Sequence, residues 1–159
     1  MSELESPLAR DGDRFALRLS GEDRDLLRAL CGQLRELLRD PDPVSDPAIA
    51  RLFPPAYPED PLRNLDFERQ AGSELHAERL AAVDVVDTSL AADHLTEDEA
   101  LAWLASVNGL RLVLGTRLDV TEETTEADYP EGDPDGDAFA MYLFLTWLEA
   151  GIVDALSSE

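Results

Sequence analysis

The segment between Thr96 and Leu118 limits what this chain can become more than any other. Plotted at the helical period it is apolar nearly all round, and a helix of that kind must be covered on most of its circumference. Thr96 and Glu99 form a capping box that opens it, so the sequence predicts a helix over Glu97 to Leu118. A last helix, expected to be capped by Asp137, again spreads apolar residues over several faces, among them Phe139, Tyr142, Phe144, Trp147, Leu148 and Ile152. Two such helices in 159 residues imply one hydrophobic core. They also predict an apolar face completed by a second subunit, and hence a homodimer.

The remaining segments supply covers for these two. Leu26, Leu27, Leu30, Cys31, Leu34, Leu37 and Leu38 share one arc of a helix that follows Ser20, a residue suited to the N-cap. A further helix is expected from about Leu62 to Ala91, with Leu75, Ala82, Val83, Val86 and Leu90 on its apolar side. Residues 14 to 19 alternate, placing Phe15, Leu17 and Leu19 on one face of a short strand. Its partner is expected either near residues 118 to 122 or in another subunit. The fold class that follows is mainly α: a compact helical bundle of four to five helices with a short N-terminal β-strand, in a single domain over residues 1–159.

Two stretches interrupt the helices. Residues 41–61 carry seven prolines and form a stiff connector, in which Asp46 and Pro47 resemble a cap and first helical position, and Phe53 and Tyr57 pin the connector to the core. Residues 119–137 hold nine acidic side chains with Pro130, Gly132, Pro134 and Gly136, and are expected to be an exposed, mobile loop.

Charge narrows the function. The net charge of −22, with arginine as the sole basic residue type apart from two histidines, repels phosphate backbones and anionic membrane surfaces. Direct nucleic-acid binding is therefore not expected. The first residues lack the basic-then-apolar pattern of a signal peptide, and Arg111 and Arg117 break the apolar central segment, so a cytoplasmic protein without a membrane span is expected.

The polar residues on apolar helix faces carry the remaining information. Arg111 plots between Leu104, Val107, Leu114 and Leu118, with Asn108 one turn before it, and Arg79 lies on the apolar side of its own helix. Such charges need partners, and Asp84 and Asp87 are the expected ones. The cluster Arg79, Asp84, Asp87, Asn108 and Arg111 can be an internal salt bridge that fixes helix register, or a pocket for an anionic metabolite. Arg24, Arg28, Arg35 and Arg39 border the leucine arc and read as a solvated flank or as a docking row.

Gly109 and Gly115 lack the lysine and strand of a phosphate loop and read as close-packing positions. Glu131, Asp133, Asp135 and Gly136 match the first half of an EF-hand loop, but Tyr142 stands where its bidentate glutamate belongs. His76 and His94 are too far apart in sequence for a helical metal pair, and Ser73, Ser89 and Ser106 have no elbow glycines. Cys31 rules out a disulfide within these residues; it reads as a small core side chain, with a redox role as the alternative. No cofactor, metal centre or catalytic set is expected, and the chain is not expected to be an enzyme.

Leu-Arg-Leu-Val-Leu-Gly-Thr-Arg-Leu (110–118) and Tyr-Leu-Phe-Leu-Thr-Trp-Leu-Glu (142–149), with the opening strand and leucine helix, resemble an actinobacterial domain family of unknown function. Its members are commonly encoded beside the ClpS protease adaptor, and one branch is described as an oxidative-stress-responsive transcription regulator. The resemblance implies a regulatory or adaptor protein whose partner belongs to the transcription or proteolysis machinery. The redox branch uses two cysteines four residues apart; here Arg35 stands four residues after Cys31, so that switch does not carry over. The alternative function is a small helical module that binds an anionic ligand or metal through Arg111, Arg79 and helix carboxylates.

Overall fold

The computed structural model describes residues 5–39, 46–52, 59–63 and 73–158. Its elements are β1 (Leu8–Asp11), β2 (Arg14–Leu17), α1 (Gly21–Arg39), α2 (Pro47–Leu52), α3 (Ser73–Ser89), β3 (His94–Leu95), α4 (Glu97–Arg117) and α5 (Gly136–Ser157). A short 3-10 turn spans Glu126–Asp128. The fold is mainly helical, with a small antiparallel sheet in the order β1-β2-β3. Pro-rich residues 41–45 and 53–58, including Phe53 and Tyr57, lie outside the described residues; of the helix expected from Leu62, residues 62–63 are helical and 64–72 lie outside as well.

The expected strand is β2, with Phe15, Leu17 and Leu19 buried as its alternation requires. Its partners differ from the expected ones. Leu8 pairs with Leu17 and Asp11 with Arg14 across a two-residue turn in which Gly12 takes φ 67°. On the other side Phe15 pairs with Leu95 and Ala16 with His94. Residues 118–122 take no part in this sheet: there α4 ends in turns. A Gly with positive φ at the first central position is what a tight hairpin with native twist demands.

The helices start and stop for local reasons. Ser20 Oγ accepts from Asp23 N at 3.1 Å to open α1, and Asp46 accepts from Ala48 N at 3.0 Å ahead of Pro47 in α2. Thr96 and Glu99 make both bonds of the capping box, at 3.1 and 2.8 Å. At the other end of α4, Asp119 adopts φ 53°, Val120 N bonds Gly115 O at 2.9 Å and Asp119 N bonds Thr116 O at 3.3 Å. These are the two bonds of a Schellman stop, with aspartate in the left-handed position glycine usually fills. Asp137 does not cap α5; Asp135 precedes the helix and Asp137 lies in its first turn, where its charge still favours the positive helix end.

The core lies where the apolar helix requires it. α4 packs against α2, α3 and α5, and Trp103, Val107 and Ala100 are fully shielded. Leu27, Leu30, Cys31, Leu34 and Leu38 of α1 face the same core, with Leu26 and Leu37 on its margin. α5 lies against α4 and β1, where Gly151 meets Pro7: a Cβ there would come within 2.4 Å of the ring. By length and composition α5, with mean hydropathy 1.5 over its window, is the one helix among the described residues apolar enough to cross a membrane. Its outer side leaves Ala140, Leu143 and Ala150 exposed.

Candidate functional site

The arginines of α1 do more than border its stripe. Arg24 Nη1 donates to the carbonyls of Leu90 at 2.6 Å and Ala92 at 2.8 Å, while Nε reaches Leu19 O at 3.1 Å. Leu90 and Ala92 follow the end of α3, where helix carbonyls have no partner of their own. The planar fork thus ties α1, the end of α3 and the sheet together. Sequence periodicity could not separate Arg24 from Arg28 and Arg39, which among the described residues pair with their neighbours Asp25 and Glu36.

Arg35 takes the carboxylates that the sequence assigned to Arg111. Its Nη2 lies 2.8 Å from Asp84 and 3.1 Å from Asp87, bridging α1 to α3. One turn earlier on α1, Cys31 is fully buried, and its thiol pKa is pushed up to about 12. Desolvation is the main cause and the negative charge of Asp87 adds to it, while Arg35 works in the opposite direction. A buried thiol held neutral is a poor nucleophile and a poor metal ligand.

Arg111 instead faces α5. Its Nε donates to Thr146 Oγ1 at 2.9 Å, Nη2 to the Tyr142 hydroxyl at 3.2 Å and Nη1 to Glu149 at 3.4 Å. The guanidinium also lies 5.1 Å from the Tyr142 ring centroid. Gly115 lets that ring approach, since a Cβ there would stand 3.3 Å from it. Arg111, Arg51, Thr116, Asp119, Thr121 and Tyr142 line an open polar cleft of about 400 Å³.

The expected five-residue cluster is therefore three separate places. Asp84 and Asp87 serve Arg35, Arg111 serves α5, and Arg79 reaches over Gly109, whose Cβ position is 3.5 Å from Arg79 Nη1. Asn108 is half-buried on α4 beside that glycine. Among the described residues no three of His, Cys, Asp and Glu converge as a metal set would. The half EF-hand is a turn in which Asp133 accepts from Asp135 N at 2.8 Å.

Arg79 borders a second, less polar space. A cavity of about 190 Å³ lies between α1, α2, α3 and α4, with Leu34, Leu38, Leu52 and Val83 among its walls. The Ser106 hydroxyl is buried on the same wall as Arg79 and has no hydrogen-bond partner among the described residues.

Within the acidic segment 119–137 one aromatic side chain packs against the bundle. Tyr129 stacks on Phe139 with centroids 4.3 Å apart, and its hydroxyl donates to Leu118 O at 3.2 Å. Thr125 N and Thr121 N are each bonded within the segment, to Asp128 and Thr124. The carboxylates stay outside, and desolvation together with Asp135, Asp128, Asp133 and Asp119 raises the Tyr129 pKa. The segment is a fixed acidic strap across the α4–α5 end of the bundle.

A mainly helical bundle closed by a three-stranded sheet, with polar ties between helices and a pinned acidic strap, defines the class of this molecule. The chain belongs to the family described as a domain of unknown function, DUF2017, whose model matches residues 5–156. It is similar to the oxidative stress regulator AosR of Mycobacterium tuberculosis and of Mycobacterium bovis, each 33% identical over 91% of this chain and 83% of the relative. A putative oxidative stress regulator AosR of Mycobacterium leprae is 32% identical over 92% of this chain and 84% of the relative. No solved structure matches.

Proposed function

We propose that this chain is a cytoplasmic, stress-linked regulator that acts by presenting the acidic strap at the α4–α5 end of the bundle to another protein, and catalyses no reaction itself. Kinship to curated oxidative stress regulators supports the regulatory role. The observation that carries the mode of action is the Tyr129 anchor: a row of carboxylates is held in one shape by a stacked ring and a main-chain bond. A preformed charged surface binds without the ordering cost a floppy loop would bear. Its partner carries a basic surface and belongs to the transcription or regulated-proteolysis machinery; duplex DNA does not fit the charge.

Redox control through a disulfide inside this chain is not part of the proposal, since Cys31 is the sole cysteine in the sequence. Arg35 occupies the position four residues on and already joins α1 to α3 through Asp84 and Asp87.

The experiment compares partner capture by the native chain and by a variant with Glu122, Glu123, Glu126 and Glu131 changed to glutamine. Tyr129 is kept, so the strap retains its anchor. Loss of capture with an unchanged melting curve supports the reading. Capture that is indifferent both to these changes and to salt would remove the strap from the mechanism.

A further inference from the structure

The open cleft beside Tyr142 carries both signs of charge. Arg117 Nη2 bonds Asp46 at 3.3 Å and holds α2 beside the end of α4, which brings Arg51, in the last turn of α2, to the same cleft as Arg111 and Asp119. Arg111 is paired with Glu149 at 3.4 Å. Its bonds to Thr146, Tyr142 and Glu149 use one N–H on each nitrogen, and a guanidinium has a second on each terminal nitrogen, so two are left for a ligand. Arg51 is exposed, and among the described residues nothing bonds or pairs with its guanidinium. Asp119 is exposed as well; its carboxylate accepts no hydrogen bond among the described residues, and its charge is felt by Tyr129. With Glu149 set against Arg111, one cation and one carboxylate remain on the described wall. Asp119 also follows the carboxyl end of α4, where the helix dipole is negative and draws a cation.

We propose that this cleft binds a zwitterion, a free amino acid or a short peptide, with its carboxylate on Arg51 and the spare N–H groups of Arg111 and its ammonium on Asp119. A planar guanidinium suits a carboxylate. The net charge of −22 favours a ligand of this class, because a zwitterion enters the field of the whole molecule at no net cost whereas an anion is repelled. About 400 Å³ lies within the range of small-molecule sites. Leu112, Val120 and the Tyr142 ring offer apolar surface beside the charges, which suits an aliphatic side chain. The inference goes beyond the strap reading and stands apart from it. Glu122, Glu123, Glu126 and Glu131, the residues changed to test capture, are not part of the described lining, so either reading can fail alone.

Calorimetry on the full chain with leucine and alanyl-leucine, each also in N-acetylated and C-amidated form, tests this. Heat from leucine identifies a free amino acid as the ligand class, and heat from the dipeptide alone a short peptide. Each blocked form has lost one charge and should bind roughly tenfold or more weakly than its parent. Arg51→Gln should shrink the gap between the parent and its amide, and Asp119→Asn the gap between the parent and its acetylated form. Both side chains are exposed, and asparagine tolerates the left-handed backbone at 119, so the melting curves of the ligand-free variants should match the native one. Absence of heat with both zwitterions at millimolar concentration overturns the proposal. So does binding that is indifferent to blocking either end, or that both substitutions leave unchanged.

Discussion

Trp103 donates its indole N–H to the Ser89 hydroxyl at 2.8 Å, deep between α3 and α4, and the Ser89 hydroxyl in turn donates a hydrogen bond to the Val85 carbonyl. Both side chains are buried, Trp103 completely. Ser89→Ala strands the indole donor where no water reaches it. The expected loss is about 1–3 kcal/mol in a urea titration, the cost of an unmet buried donor. Trp103→Phe removes donor and partner demand together, since Ser89 keeps Val85, so its cost should come from lost volume alone.

Arg24 carries the second prediction. Arg24→Lys preserves charge but cannot fork to Leu90 and Ala92 as the guanidinium does. We expect Arg24→Met and Arg24→Lys to lose similar stability, about 2–3 kcal/mol, because charged hydrogen bonds to stranded carbonyls disappear in both. Full rescue by lysine in thermal melts would show that charge, not geometry, is what α3 uses there.

Cys31 makes a pH prediction. Its thiol is raised from 9.0 in the unfolded chain to about 12 in the fold, so the folded state holds this proton more tightly. The contribution is complete below pH 9 and is lost as pH climbs through the window up to about 12. Urea midpoints should fall across that range with a slope of at most about 1.4 kcal/mol per pH unit from this group, and Cys31→Ala should flatten it. At pH 8 the native thiol should resist alkylation that proceeds readily in denaturant.

The outer side of α5 predicts the assembly. Ala140, Leu143, Trp147 and Ala150 recur at alternating spacings of three and four, the pattern of a helix seam, and Leu143 is 38% exposed. A second copy of the chain is the expected cover. Sedimentation should give a dimer for the native protein and a monomer of unchanged circular dichroism for Leu143→Arg. A native protein that sediments as a monomer at tens of micromolar would end the dimer proposal.

Gly151→Ala tests the seam between β1 and α5. The added methyl would meet the Pro7 ring at 2.4 Å, a distance atoms do not share, so the ring must move. Overpacking of this kind typically costs about 1–3 kcal/mol, and hydrogen exchange should accelerate first in the β1–β2 hairpin.

What the sequence disclosed follows from how local each signal is. The α1 stripe, the Thr96–Glu99 cap and the close packing at Gly109 and Gly115 depend on residues a turn or two apart, and each stands as periodicity or motif required. The β2 partners were missed because β1 buries only Leu8 and β3 is two residues long, so neither shows an alternation to read. Asp11-Gly12-Asp13 was the available signal, a turn sequence directly ahead of the strand. The polar pairings were read less well. Asp84 and Asp87 could serve any arginine on a neighbouring helix, and only packing decided for Arg35 while Arg111 took Glu149. Composition marked the strap as acidic and exposed without showing where it meets the bundle, which is at Tyr129. No pattern announces such an anchor, because its partner Phe139 belongs to the next helix.

The meeting of Pro7 with Gly151 has a consequence for biosynthesis. The β1–β2 hairpin leaves the ribosome well over a hundred residues before the α5 surface it rests on. Until that surface emerges, Leu8 and its neighbours stay wet and open to proteases or chaperones. Chains interrupted before α5 should therefore be cleared rather than accumulate, whereas chains that reach it can bury the hairpin.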